Sequence, residues 1–252
     1  MHYLSKQIQI FNANFGLRKK PQGFTWTELL VCLVIMGLLL AFLLTTTRRS
    51  GSREPARRMQ CSNNLKQIAL ALINYESTYK VLPPAYTVDA DGNRLHSWRS
   101  LILPFLEQSE LYAKIDFTKA WDDPANEAAL SCSVSGYRCP SSTSPTSQTT
   151  YLAIVGEHNC LRPESVRWLT EVVDGASNTV MIFETEPAKA IHWMCPQDAS
   201  EDVFVASDPK SKTAHAGGRL ACMADGSVRY LSLSIPKVEL HALATIDGRE
   251  SP

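Results

Sequence analysis

The side chains able to do chemistry here are few, and they are spread along the chain. His215 and Asp225 are the first pair to weigh, as a base and its orienter. The residues between them, Arg219 to Ala224, read as a strand, and six residues at ~3.3 Å each set its ends about 20 Å apart. That distance breaks the pair. Asp225 is expected to make a turn, with His215 capping or hydrogen-bonding a loop. Asp225-Gly226 fits a two-residue type I′ hairpin, which pairs Met223 with Val228 and Ala221 with Tyr230. Gly217-Gly218 lacks the helix and the following Lys of a phosphate loop. Asp174-Gly175-Ala176-Ser177-Asn178-Thr179 suits Asx-type turns leading into a strand. Asp122, Asp123 and Asn126 offer oxygens to Ca²⁺ but lack the Asp-x-Asp-x-Asp-Gly order. Calcium is the one cofactor to weigh, and no other metal or cofactor is expected. Gly-x-Ser-x-Gly, His-Glu-x-x-His and paired Cys-x-x-Cys motifs are missing, which argues against common hydrolase and zinc sites.

The chain holds seven cysteines. Cys32 lies in an apolar run and acts there as a small apolar residue. The other six are Cys61, Cys132, Cys139, Cys160, Cys195 and Cys222. In an oxidising compartment they permit disulfides, with 15 possible full pairings. Cys222, alternating through a core strand, is expected to stay a buried thiol.

The elements that position these groups begin with a long apolar segment. Leu29 to Thr47 is nineteen residues without a charge. At 1.5 Å per residue it spans about 28 Å, close to the ~30 Å of a bilayer's hydrocarbon core. Arg18, Lys19 and Lys20 precede it, and Arg48 and Arg49 follow. The nearer cluster on a short arm favours a cytoplasmic N-terminus and an extracytoplasmic remainder. No small-x-small cleavage site follows the run, which argues against an ordinary signal peptide. Glu28 opens the run as its one acid, so a partner for it is expected.

Residues 48–60 read as a polar linker broken by Gly51 and Pro55. From Cys61 the apolar positions Leu65, Ile68, Ala69, Leu72 and Ile73 mark one stripe of an amphipathic helix over 61–80, stopped by Pro83-Pro84. The rest reads as short strands and loops, with Asp91-Gly92 and Asp225-Gly226 as hairpin signals and strands at 150–155 and 179–183. The fold class expected is α+β. Lys plus Arg and Asp plus Glu are equal at 25 each, which gives no electrostatic reason for a nucleic-acid partner. Four of the basic residues and no acid fall in 1–23.

The start of the chain resembles the class III signal of type IV prepilins and type II secretion pseudopilins, which has a basic leader ending in Gly, then Phe-Thr-Leu-x-Glu and a long apolar helix. Here the residues are Gly23, Phe24, Thr25, Trp26, Thr27 and Glu28, with Trp26 in place of the commoner Leu. The resemblance implies that a prepilin peptidase cuts after Gly23 and methylates Phe24. It also implies that Glu28 pairs with the Phe24 amine of a neighbouring subunit. The division implied is a cytoplasmic leader 1–23, a transmembrane and assembly helix 24–47, the linker 48–60 and an extracytoplasmic domain 61–252. A pilin-like fold follows, with a long helix packed on an antiparallel sheet.

The globular part resembles a prepilin-type domain-of-unknown-function family with a C-terminal H-x9-DG motif, sometimes labelled bacterial solute-binding protein. The motif positions are Cys61, Asn64, Trp98, Asp174, Gly175, Asn178, His215, Gly217, Gly218, Asp225 and Gly226, together with Cys139-Pro140-Ser141. That resemblance makes Cys61 and Cys139 the preferred disulfide, with burial as free thiols close behind. It implies a non-enzymatic, single-pass protein of the bacterial inner membrane or a surface filament, whose partners are the peptidase, other pilin or pseudopilin subunits and the lipid bilayer. The alternative is a membrane-tethered solute- or polymer-binding module, with Trp98, Trp121, Trp168 and Trp193 available to line a pocket. A tethered hydrolase ranks last for want of a nucleophile–base pair.

Overall fold

The computed structural model describes residues 25–46, 53–206 and 211–248. Gly23 and Phe24 lie outside the described residues. The chain divides into two units, Met1–Gly51 and Ser52–Pro252.

The first unit contains helix α1, Trp26–Thr46, whose one charge is Glu28. Its start is a capping box, which the sequence reading missed. Thr25 N–H and Thr25 Oγ1 both donate to Glu28 Oε2 at 2.9 Å, and Glu28 N–H faces Thr25 Oγ1 at 3.4 Å. Among the described residues no helix is long and apolar enough to cross a membrane. The span expected over 29–47 therefore remains an expectation.

The second unit is mixed α and β with antiparallel sheets. It opens on helix α2, Arg53–Tyr79, so 53–60, expected as linker, is helical. Pro55 falls in the first turn, where the N–H it lacks has no intrahelical partner anyway. Lys80 ends the helix in the left-handed region at φ 65, and Pro83-Pro84 follows. The stripe Cys61, Leu65, Ile68, Ala69 and Leu72 is buried as expected.

Strands β1 (Tyr86–Val88) and β2 (Arg94–Ser97) pair through the Asp91-Gly92 turn. The two-residue strands β3 (Gln148–Thr149) and β6 (Ile191–His192) also pair. The main sheet holds β4 (Tyr151–Ala153), β5 (Val180–Glu184), β7 (Gly218–Met223) and β8 (Val228–Ser232), antiparallel and in the order β4-β5-β7-β8. Strand alternation sends its side chains into two cores. Tyr151, Ala153, Ile182, Leu220 and Cys222 join the α2 stripe in one. Leu152, Phe183, Ala221 and Met223 join Phe204 and the C-terminal helix α3, Lys237–Ala244, in the other.

The β7–β8 hairpin differs in register from the expectation. Cys222 pairs with Val228, Ala221 with Arg229 and Leu220 with Tyr230. Met223 N–H donates to Ser227 O at 2.8 Å, and Gly226 N–H to Met223 O at 3.0 Å. The loop is thus three residues, Ala224-Asp225-Gly226, with Gly226 at φ 85. This is a tight turn closed by a glycine bulge rather than a two-residue type I′ turn. Asp225 is a turn residue, as expected, and its Oδ1 accepts from Ser227 N–H at 2.8 Å.

Candidate metal centre

His215, expected to cap or hydrogen-bond a loop, turns its ring inward and meets the loop residue Cys139. Its imidazole is buried, with 2% of the side chain exposed, and it points to the junction of α2 and the sheet. The backbone reverses at Ala216-Gly217, with Gly217 at φ 82, and Gly218 starts β7. A Cβ at Gly218 would collide with the Tyr230 ring and the Leu231 carbonyl, so close packing against β8 requires glycine there.

Three further groups meet the ring. Cys61 comes from the second half-dozen residues of α2. Cys139 follows the 3-10 turn Ser135–Tyr137. This segment is tied to α2 by Asn64, whose side-chain amide donates to Arg138 O at 2.8 Å. Glu184 ends β5 on the same face as Ile182, opposite Tyr151 in the pairing with β4. One ligand atom from each of Cys61, Cys139, Glu184 and His215 lies within 4.8 Å of every other, and all four residues are buried. His215 Nε2 stands 3.7 Å from Cys139 Sγ and 3.5 Å from Glu184 Oε2. Its other nitrogen, Nδ1, lies 2.9 Å from Oε1 of Glu54, in the first turn of α2.

Burial and mutual contact set the charges. The hydrogen bond with Cys139 lowers the Cys61 thiol to about 5, against the opposing effect of burial. The same bond and burial raise Cys139. Burial raises the Glu184 carboxyl to about 7. Burial also pushes His215 down, but its bond with Cys61, the charge of Glu184 and its bond with Glu54 outweigh that and hold it at about 9. Neither Glu184 oxygen meets a hydrogen-bond donor at bonding geometry. The buried Tyr151 hydroxyl interacts with Cys61.

This set contains what the sequence reading found wanting, a sulfur nucleophile beside a histidine that is itself held by a carboxylate. Both sulfurs are closed off, however, with Cys61 at 0% and Cys139 at 1% exposure. Such an arrangement can bind a cation through its buried sulfurs, while Glu54 and His215 also line a cavity of about 560 Å³ with Arg58 and Tyr230. The two cysteines expected as a disulfide are adjacent, and both are free thiols.

The other singled-out residues hold the backbone. Gly175 sits at φ 91, Asn178 donates to Asp174 O at 3.2 Å, and Asp174 Oδ2 accepts from Gly248 N–H at 2.6 Å. Asp123 caps a 3-10 turn by accepting from Ala125 N–H at 2.9 Å. Asn126 Oδ1 accepts from Asp116 N–H at 2.8 Å, while its amide donates to Ala120 O at 2.8 Å. Asp123 Oδ1 and the Asn126 amide thus hold turns. Trp98 and Trp193 are core residues, 0% and 1% exposed. Trp98 Nε1 donates to Asp198 Oδ2 at 3.1 Å.

Glu54 and Glu184 were not singled out from sequence. Glu184 left one mark there, a carboxylate ending an otherwise apolar strand. The ligands also escape any spacing motif, since Cys139 and His215 alone are 76 residues apart.

The family described as "Protein of unknown function (DUF1559)" matches residues 51–163. The chain is similar to that family over this stretch. It takes in Glu54, Cys61, Asn64, Trp98 and Cys139, and stops short of Glu184 and His215. No curated protein and no solved structure matches the chain.

Proposed function

We propose that this chain is a non-enzymatic, pilin-like envelope protein. It is made as a prepilin, cut between Gly23 and Phe24, and held in the bacterial inner membrane or assembled into a filament through α1. The observation that carries this reading is the surface of α1. Leu29, Leu30, Leu33, Ile35, Met36, Leu38, Leu39 and Leu40 are all about half exposed or more, an apolar surface far beyond what a water-facing helix presents. Lipid or the same helix of other subunits is the natural cover for such a surface. Prepilin peptidase, sister subunits and the bilayer are the partners this implies.

The helix of the globular unit lying on an antiparallel sheet supports the same reading. The inaccessible sulfurs favour a non-enzymatic role. A tethered binding module built on tryptophans draws no support, because two of its four candidates are core.

Glu28 is the residue to test. Substitution by Leu removes the bonds from Glu28 to Thr25 that cap the helix and lengthens the apolar run. Membrane retention should be kept, and crosslinked oligomers or filaments should fall sharply. Equal oligomer yield for Glu28→Leu and the parent would overturn the assembly reading.

A further inference from the structure

We propose that Cys61, Cys139, Glu184 and His215 form a closed four-ligand zinc site that fastens α2 to the main sheet. The chemistry of the donors selects the metal. Two thiolates, an imidazole and a carboxylate suit Zn²⁺, whereas Ca²⁺ and Mg²⁺ take oxygen ligands alone. The spacing fits as well. Zinc bonds of about 2.3 Å to sulfur and 2.0–2.2 Å to nitrogen or oxygen, at tetrahedral angles, set ligand atoms roughly 3.3–3.8 Å apart. The observed 3.7 Å and 3.5 Å from His215 Nε2 fall in that range, and the whole set needs only a small contraction from 4.8 Å.

Two independent features point to a cation. Glu184 is a carboxylate only 2% exposed, aimed into the cluster with its Oε2 3.5 Å from His215 Nε2, and a buried anionic oxygen beside two sulfurs is stabilised by a cation bound among them. His215 turns Nε2 into the cluster while Nδ1 bonds Glu54, the carboxylate–histidine arrangement that orients a metal-bound imidazole. Four protein ligands leave no position for water or substrate, so the centre is structural. It joins α2, the loop after Tyr137, the end of β5 and the start of β7. Zinc takes the thiolate, carboxylate and neutral imidazole forms of its ligands, and any protons these groups carry leave to solvent on binding. In an oxidising compartment it also keeps the paired sulfurs from closing into a disulfide.

The test uses the full-length protein, purified in detergent without chelator from zinc-supplemented cells. Elemental analysis should find roughly one zinc per chain, and the Cys61→Ser/Cys139→Ser variant should hold under about a tenth of that. Cys132→Ser, at a half-buried cysteine outside the cluster, should keep its zinc. Should the double variant fail to fold, cobalt exchange into the parent decides the matter: thiolate-to-cobalt charge transfer and tetrahedral visible bands are expected. Zinc retained by a folded double variant overturns the proposal. So does a metal-free parent with Cys61 and Cys139 joined as a disulfide, or a cobalt spectrum without the thiolate band.

Discussion

Gly226 closes the β7–β8 loop at φ 85, and a Cβ there would stand 3.1 Å from Ile73 Cδ1 on α2. Gly226→Val therefore combines backbone strain with pressure on the helix, and should cost about 1–3 kcal/mol. Asp225→Asn keeps an acceptor for Ser227 N–H and should stay within about 0.5 kcal/mol of the parent. Thermal unfolding followed by near-ultraviolet circular dichroism separates the two. Arg99 is a second case. It is fully buried, and its guanidinium meets Asp198 at 2.5 Å and the Tyr151 carbonyl at 3.2 and 3.3 Å. Burial raises the Asp198 carboxyl, with Arg99 opposing that shift. Arg99→Met leaves Asp198 buried and uncompensated, at a cost of about 3–5 kcal/mol near neutral pH. An acid whose folded pKa is raised folds best when protonated, so this loss should shrink as the pH falls toward the ordinary carboxyl value of 3.8. Unfolding midpoints at several pH values check it, and a loss that grows on acidification would contradict the assignment. At this scale the turn residues were legible because Asp-Gly and Asn side chains act on their own neighbours. His215 was not, because its partners come from three distant segments.

Among the elements, α2 carries the most information. Its apolar stripe from Cys61 to Leu72 was readable from spacing alone. Its extension over 53–60 was hidden by Pro55, which reads as a breaker anywhere but in a first turn. The hairpin was readable in place but not in register, since Asp-Gly serves a two-residue loop and a three-residue loop with a glycine bulge alike. Asn64 shows how α2 positions the cluster: its amide bond to Arg138 O fixes the segment that ends in Cys139. Asn64→Ala should cost about 1–2 kcal/mol and should speed thiol labelling at Cys139 while leaving Cys222 protected. Unchanged labelling would mean that the loop is held by packing alone.

For the whole molecule, the division into α1 and a separate globular unit follows from hydropathy, which is why the first fifty residues could be read as a sorting and assembly segment. The α+β class was legible through the strand and helix periods. The order β4-β5-β7-β8 was not, because short strands in a loop-rich chain carry no signal for their neighbours. The pilin-like reading rests on one chemical event, cleavage after Gly23. Mass spectrometry of the mature N-terminal peptide from membranes tests it directly. The account predicts a chain that begins at N-methylated Phe24. A chain that still begins at Met1, or one that begins near Ser50 after removal of the apolar helix, would contradict it.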